Sequence, residues 1–187
     1  MRGASLRERL RAETAAIHAR LHRHPALSAA ASGKIDADGY RALLMRLYGF
    51  HRAFETCIGD FVRFEDGPAR SDLLASDLEA LGLTSDERRA IPLCSALAPC
   101  SSGAEALGAL YVVEGSALGG AQIARALRSA ASSPASVTGY RFFSNDGASR
   151  PGWKELLARL EAIRDPQEEC AAIAGAVSTF RAFEEWM

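Results

Sequence analysis

No stretch of five or more residues in this chain alternates cleanly between apolar and polar side chains. A half-buried strand needs that period of two, so β-sheet is excluded as the organising element. Helix punctuation is abundant instead. Ser5 and Glu8 stand at capping-box spacing, the serine hydroxyl accepting from the third amide while the glutamate reaches back. Behind them Leu6, Leu10, Ile17 and Leu21 recur at helical spacing, which predicts a first helix ending near His22, before Pro25. A long second helix is expected from about Asp38 to Val62, with a distortion near Gly49. A short helix should follow from a cap at Ser71 to a stop at Gly82, then a turn or single helical turn closed by Pro92. Ser102 and Glu105 form a second capping box opening a helix to about Ser129, and residues 132–139 read as a linker before the short aromatic segment 140–146. Pro151 fits the first turn of another helix, and Asp165 followed by Pro166 opens the last one. The expected architecture is all-α, a single domain over residues 1–187 with seven to nine helices.

The totals narrow the class of function. A formal net charge of -1 provides no electrostatic case for nucleic acid or an acidic membrane as partner. No apolar run approaches the ~18–20 residues of a membrane span, and the N-terminus lacks the apolar core of a secretory signal. The reading is therefore cytoplasmic, with no membrane partner. Cys57, Cys94, Cys100 and Cys170 include no C-x-x-C and no zinc-finger spacing. They read as small reduced hydrophobes, the alternative being a disulfide between Cys94 and Cys100.

The segment LYVVEGSALGGAQIARAL, Leu110–Leu127, is helical in composition yet carries Gly115, Gly119 and Gly120, with Gly108 just upstream. Each glycine in a helix interior costs roughly 1 kcal/mol relative to alanine. At 100° per residue, Gly108, Gly115 and Gly119 fall within ~40° of one another and leave a stripe of bare backbone. Two physical reasons for such a stripe stand side by side. Another helix can pack very closely against it, or a flat ligand can lie where any β-carbon would collide with it. The pair Gly119–Gly120 also favours a kink.

His18 lies on the first helix at the border of its leucine stripe, with Arg11 on nearly the same line about 10 Å earlier and Thr14 between them. His18 and His22 stand at i, i+4, a spacing that can grip a metal. A bordering histidine can equally be a surface residue without a ligand. The combination of an imidazole, a cation on its line and a helix stripped of side chains meets the needs of a planar anionic cofactor with a metal at its centre. Haem iron accepts a neutral imidazole, and its propionates favour arginine or lysine. His22 and His24 read as surface residues. His51 lies mid-helix, either in the core or within reach of the pocket. Glu114 falls ~100° from the glycine stripe, towards another helix or solvent.

LRAETAAIHARLH, Leu10–His22, resembles the proximal-histidine helix of heme oxygenases, and LYVVEGSALGGAQI, Leu110–Ile123, resembles the distal helix of the same family, especially its bacterial branch. The two stretches occur in the family's order, with weaker similarity over most of the chain. The resemblance implies a multi-helix heme-oxygenase-like bundle with His18 as the iron ligand and Gly115 and Gly119 over the haem, where the distal helix kinks. It implies haem as both substrate and oxygen-activating centre, cleaved with dioxygen and external electrons to biliverdin, carbon monoxide and ferrous iron. Arg11 matches the first-helix propionate partner, and Tyr111 would add a further propionate contact. Lys154 and Arg159 are candidate cations from a later helix. Thr14 and Gly120 belong to the same candidate cofactor-binding set. Phe142, Phe143 and Phe180 are pocket-wall candidates, with core packing as the competing role.

Ser116 stands where animal-type members carry an aspartate that anchors distal water. A hydroxyl can hold water but brings no charge, so Ser116 joins Gly115 and Gly119 as a residue on which turnover depends. The implied partners are a ferredoxin or flavin reductase as electron donor and a bilin-accepting photoreceptor as one destination for the product. Three rival readings stand beside this one. A di-iron carboxylate bundle needs Glu-x-x-His pairs, which are absent. A thiamine-directed helical enzyme would nominate Cys57 or Cys170 as nucleophile, without an evident base. A non-catalytic haem-binding or haem-sensing protein of the same fold uses the same histidine and glycines.

Overall fold

The computed structural model of the chain describes residues 4–59, 61, 69–129, 139–144 and 151–187. These residues form α-helices and connecting turns, with no strand among them. In chain order the helices are α1 (Leu6–Leu21), α2 (Pro25–Ala31), α3 (Ala37–Ile58), α4 (Arg70–Ala80), α5 (Ser85–Arg89), α6 (Gly103–Ser129), α7 (Arg141–Ser144), α8 (Pro151–Ala162) and α9 (Pro166–Trp186). The linker-like residues 132–138, the end of the aromatic segment and the expected helix end at Val62 lie outside the described residues.

The caps explain most of these boundaries. Ser5 and Glu8 form the full reciprocal box at the start of α1, and Thr84 and Glu87 do the same for α5. Asp165 accepts from the Gln167 amide, with Pro166 at the first position of α9. At α6 the expected box is divided between two serines. The Ser102 hydroxyl accepts from the Glu105 amide, while the Glu105 carboxylate accepts from the amide and hydroxyl of Ser101.

Three expectations are corrected. Pro25 is not simply the stop after α1; it is the first residue of α2, a helix that the apolar spacing did not announce. Gly49 lies inside an uninterrupted α3, where a β-carbon would come within 2.3 Å of the Pro92 carbonyl oxygen and 2.8 Å of Trp186. Its glycine serves close approach rather than a distortion. Ser71 does not cap α4, which begins behind Ala69. Its amide and hydroxyl both donate to Glu55 of α3, so a tertiary partner has claimed the capping group. All four cysteines are free thiols.

Two hydrophobic cores share α3 and α6. The first gathers Leu10, Ile17 and Leu21 of α1 with Phe54 of α3, Leu110 and Val113 of α6, Leu160 of α8 and Phe180 of α9. The second gathers Tyr40, Leu44 and Leu47 of α3 with Leu74 and Leu78 of α4, Leu127 of α6 and Phe142 and Phe143 of α7. Position of α7 is set by polar groups from the older part of the chain. The buried Asp77 carboxylate accepts from the Arg141 and Phe142 amides, each at 2.9 Å, and the Tyr40 hydroxyl donates to the Gly139 carbonyl.

Candidate functional site

α1 is held against α9 at both of its ends, which fixes where His18 stands. Arg9 pairs with Glu169, and Arg20 donates to both oxygens of Glu184 at 2.6 and 2.8 Å. Such exposed pairs contribute little energy, but they register one helix on the other. Thr14 is buried and its hydroxyl donates to the Leu10 carbonyl at 2.7 Å, so it stiffens α1. His18 is exposed, with the Phe180 ring edge-on at 6.0 Å between centroids and the His22 Nε2 at 3.3 Å from its own Nε2. Partial burial, followed by the neighbouring His22, lowers the His18 pKa below 6.5 and favours the neutral imidazole. Arg11 is exposed on the same helix and makes no ion pair among the described residues.

The glycines of α6 divide between the two physical reasons for a bare stripe. At Gly108 a β-carbon would lie 1.8 Å from the Ala172 carbonyl oxygen of α9, so this glycine exists for helix packing. At Gly119 it would meet nothing within 4 Å among the described residues. Gly115 is intermediate: its nearest neighbour is the rim of the Trp153 ring, at 3.5 Å, an ordinary contact. Tyr111 stacks on the same Trp153 ring with centroids 5.7 Å apart. Gly120 is turned away, against the backbone and ring of Phe143 in α7. The Ser116 side chain is exposed and its hydroxyl donates to the Val113 carbonyl at 2.7 Å. α6 is one helix through all these positions.

Two contributors, Trp153 and Arg70, carry no signal in the sequence. Trp153 of α8 stacks on Tyr111 and is the nearest neighbour of Gly115 among the described residues. Arg70, only 5% exposed, donates to both oxygens of Glu114, at 3.3 and 3.0 Å, and so ties α4 to the residue immediately before Gly115. His51, expected either in the core or within reach of the pocket, lies in the core beside the Phe50 and Phe142 rings. Its Nδ1 is buried with no hydrogen-bond partner among the described residues. Burial, and then the charge of Arg70, hold its pKa well below 6.5. Phe142 sits between His51 and the Arg70 guanidinium, which lies 5.7 Å from its ring centre. Lys154 and Arg159 are exposed on α8. A 390 Å³ groove lined by Ala174, Val177, Ser178 and Arg181 follows the outer face of α9, and neither His18 nor the α6 glycines line it.

The residues fit a haem on two structural grounds. An exposed imidazole biased to its neutral form is the donor that iron accepts, and the open position at Gly119 leaves backbone accessible to a flat ring. These two features define a class of candidate, an all-helical domain with an imidazole donor on one helix and open backbone on another among the described residues. Comparison with known proteins narrows that class. The heme oxygenase family model matches residues 4–187. The heme oxygenase of Xanthomonas campestris pv. campestris (strain 8004) is 34% identical over 163 residues, covering 84% of this chain and 93% of that protein. The chain belongs to the heme oxygenase family, a family of haem-degrading enzymes. No helix among the described residues is long and apolar enough to cross a membrane.

Proposed function

We propose that this chain cleaves haem to biliverdin, carbon monoxide and ferrous iron, with dioxygen as oxidant and electrons from a ferredoxin or flavin reductase. The reading rests above all on one observation: an exposed, neutral-biased imidazole at His18 in a chain whose α6 carries open backbone at Gly119. Haem is the substrate and its iron supplies the oxygen activation. The residues of the chain supply position and exclusion. His18 holds the iron from α1, and Phe180 braces the imidazole edge-on. Gly115 and Gly119 let the α6 backbone approach the opposite face, where a β-carbon would stand in the way. Arg11, Lys154 and Arg159 are cations for the propionates, and Tyr111 with Trp153 borders the ring. Thr14, Gly120 and Phe142 act one step back, by stiffening α1 and seating α6 on α7.

The Arg70–Glu114 pair anchors α6 just before Gly115, and the Ser116 hydroxyl offers an acceptor to distal water. Its proton is committed to the Val113 carbonyl, and no carboxylate stands at that position. This favours, as the second reading, a haem-binding or haem-sensing protein without turnover. A bilin-accepting photoreceptor is one consumer of the product, and the cytoplasm is the expected compartment.

The test is an absorption titration with hemin, followed in air after adding ascorbate or a ferredoxin reductase system, for wild type and His18→Ala. A Soret band that depends on His18 and then gives way to the red absorption of biliverdin, with carbon monoxide released, is the expected result. A stable His18-dependent spectrum with no bilin supports the second reading. Absence of any haem spectrum overturns both.

A further inference from the structure

We infer that His18 and His22 together form a binding site for a tetrahedral divalent ion of the zinc class, available only while the protein is free of haem. The clause about haem rests on the reading of His18 as the iron ligand; the metal site itself does not. Two imidazoles at i, i+4 on one helix face are a spacing that holds zinc. Here their Nε2 atoms already stand 3.3 Å apart. An ion bonded to two imidazole nitrogens at ~2.0–2.1 Å with a tetrahedral angle requires a separation of ~3.3–3.4 Å. A square-planar ion, with its right angle, requires only about 2.9 Å. The observed separation matches the tetrahedral requirement.

The pair is also preorganised. The His22 amide donates to the His18 carbonyl at 3.1 Å, so the last turn of α1 is closed beneath both rings. The two rings meet edge-on, with their centroids 4.4 Å apart. Phe180 backs the His18 ring. The ion takes the place of the single proton that one imidazole would otherwise offer to the other. No group of three or more His, Cys, Asp or Glu side chains suited to a metal occurs among the described residues, so water completes the coordination. Such a site exchanges its ion and competes with haem for the same His18 nitrogen.

The experiment uses the full haem-free chain as wild type, His22→Ala and His18→Ala, each checked for folding by circular dichroism. Zinc binding is measured by calorimetry, and cobalt(II) by its visible absorption, which is intense only in tetrahedral sites. One equivalent of each ion should bind wild type, and either substitution should weaken binding on the order of tenfold or more. Zinc at its own dissociation constant should roughly double the hemin needed for half-saturation of wild type, and should leave His22→Ala unaffected. The proposal is overturned if zinc does not bind wild type saturably, if it binds His22→Ala equally well, or if it shifts hemin binding equally in both. Zinc binding without hemin binding would uphold the metal site and overturn the proposed function; the reverse would do the opposite.

Discussion

Gly108 and Gly119 share one face of α6 by helical phase, yet a methyl group added to each would have opposite consequences. At Gly119 the added carbon meets nothing within 4 Å among the described residues, and alanine is the better helix former by about 1 kcal/mol. Gly119→Ala should therefore melt at or slightly above wild type when haem-free, while its affinity for hemin and its turnover fall. A drop in haem-free stability would show instead that Gly119 is a packing glycine. His51 carries a second prediction at this scale. Its buried imidazole stays neutral well below its ordinary pKa of 6.5, whereas in the unfolded chain it takes up a proton as pH falls through that value. The unfolded state then binds more protons, so stability declines towards acid, at up to about 1.4 kcal/mol per pH unit from this group. His51→Leu removes the titration and the unpartnered Nδ1. Denaturation midpoints of the two proteins should diverge in favour of the variant from pH 7 down to pH 5. Parallel curves would mean that His51 is protonated in the fold.

Between elements, the crossing of α6 and α9 is built from glycine on both sides. Gly108 faces the Ala172 carbonyl, and Gly175 faces the Glu105 carbonyl, where an added β-carbon would lie 2.2 Å from the oxygen. Neither obstacle is a flexible side chain, so the helices themselves must part. Gly108→Ala or Gly175→Ala should each cost about 1–3 kcal/mol or more, read as a lower midpoint in urea. The α4–α6 contact is ionic instead. Arg70→Met takes the guanidinium away from the half-buried Glu114 carboxylate and should cost about 1–3 kcal/mol, measured the same way. A loss under about 1 kcal/mol would class the pair with ordinary surface ion pairs.

These contacts mark the limit of what the chain discloses on inspection. Capping at Ser5 and Asp165 is local, so α1 and α9 could be read with their boundaries. Ser71 could not, because its capping group is drawn away by Glu55, sixteen positions earlier in the chain. Likewise the wheel reveals that three glycines share a face, but only the placement of α9 shows that Gly108 is covered, while Gly119 is open among the described residues. His18 stands out in the sequence through its motif. Trp153 and Arg70 do not, since their importance comes from neighbours on other helices.

At the scale of the molecule, His18 and the α6 glycines belong to helices that meet in the first core, and α6 carries the second core beyond them. A ligand engaging both α1 and α6 thus adds a tie that the haem-free protein lacks, and only the folded chain offers it. Mass action then sets its effect on stability: free hemin at one hundred times its dissociation constant adds about 2.7 kcal/mol. For a chain of 187 residues each kcal/mol moves the melting temperature by roughly 2–4 °C, so hemin should raise it by about 5–11 °C. His18 is exposed, so His18→Ala should melt with wild type when both are haem-free, and should lose most of the hemin-induced rise. Equal rises in the two proteins would mean that hemin stabilises the fold by adhering elsewhere, with the outer groove of α9 the first place to look.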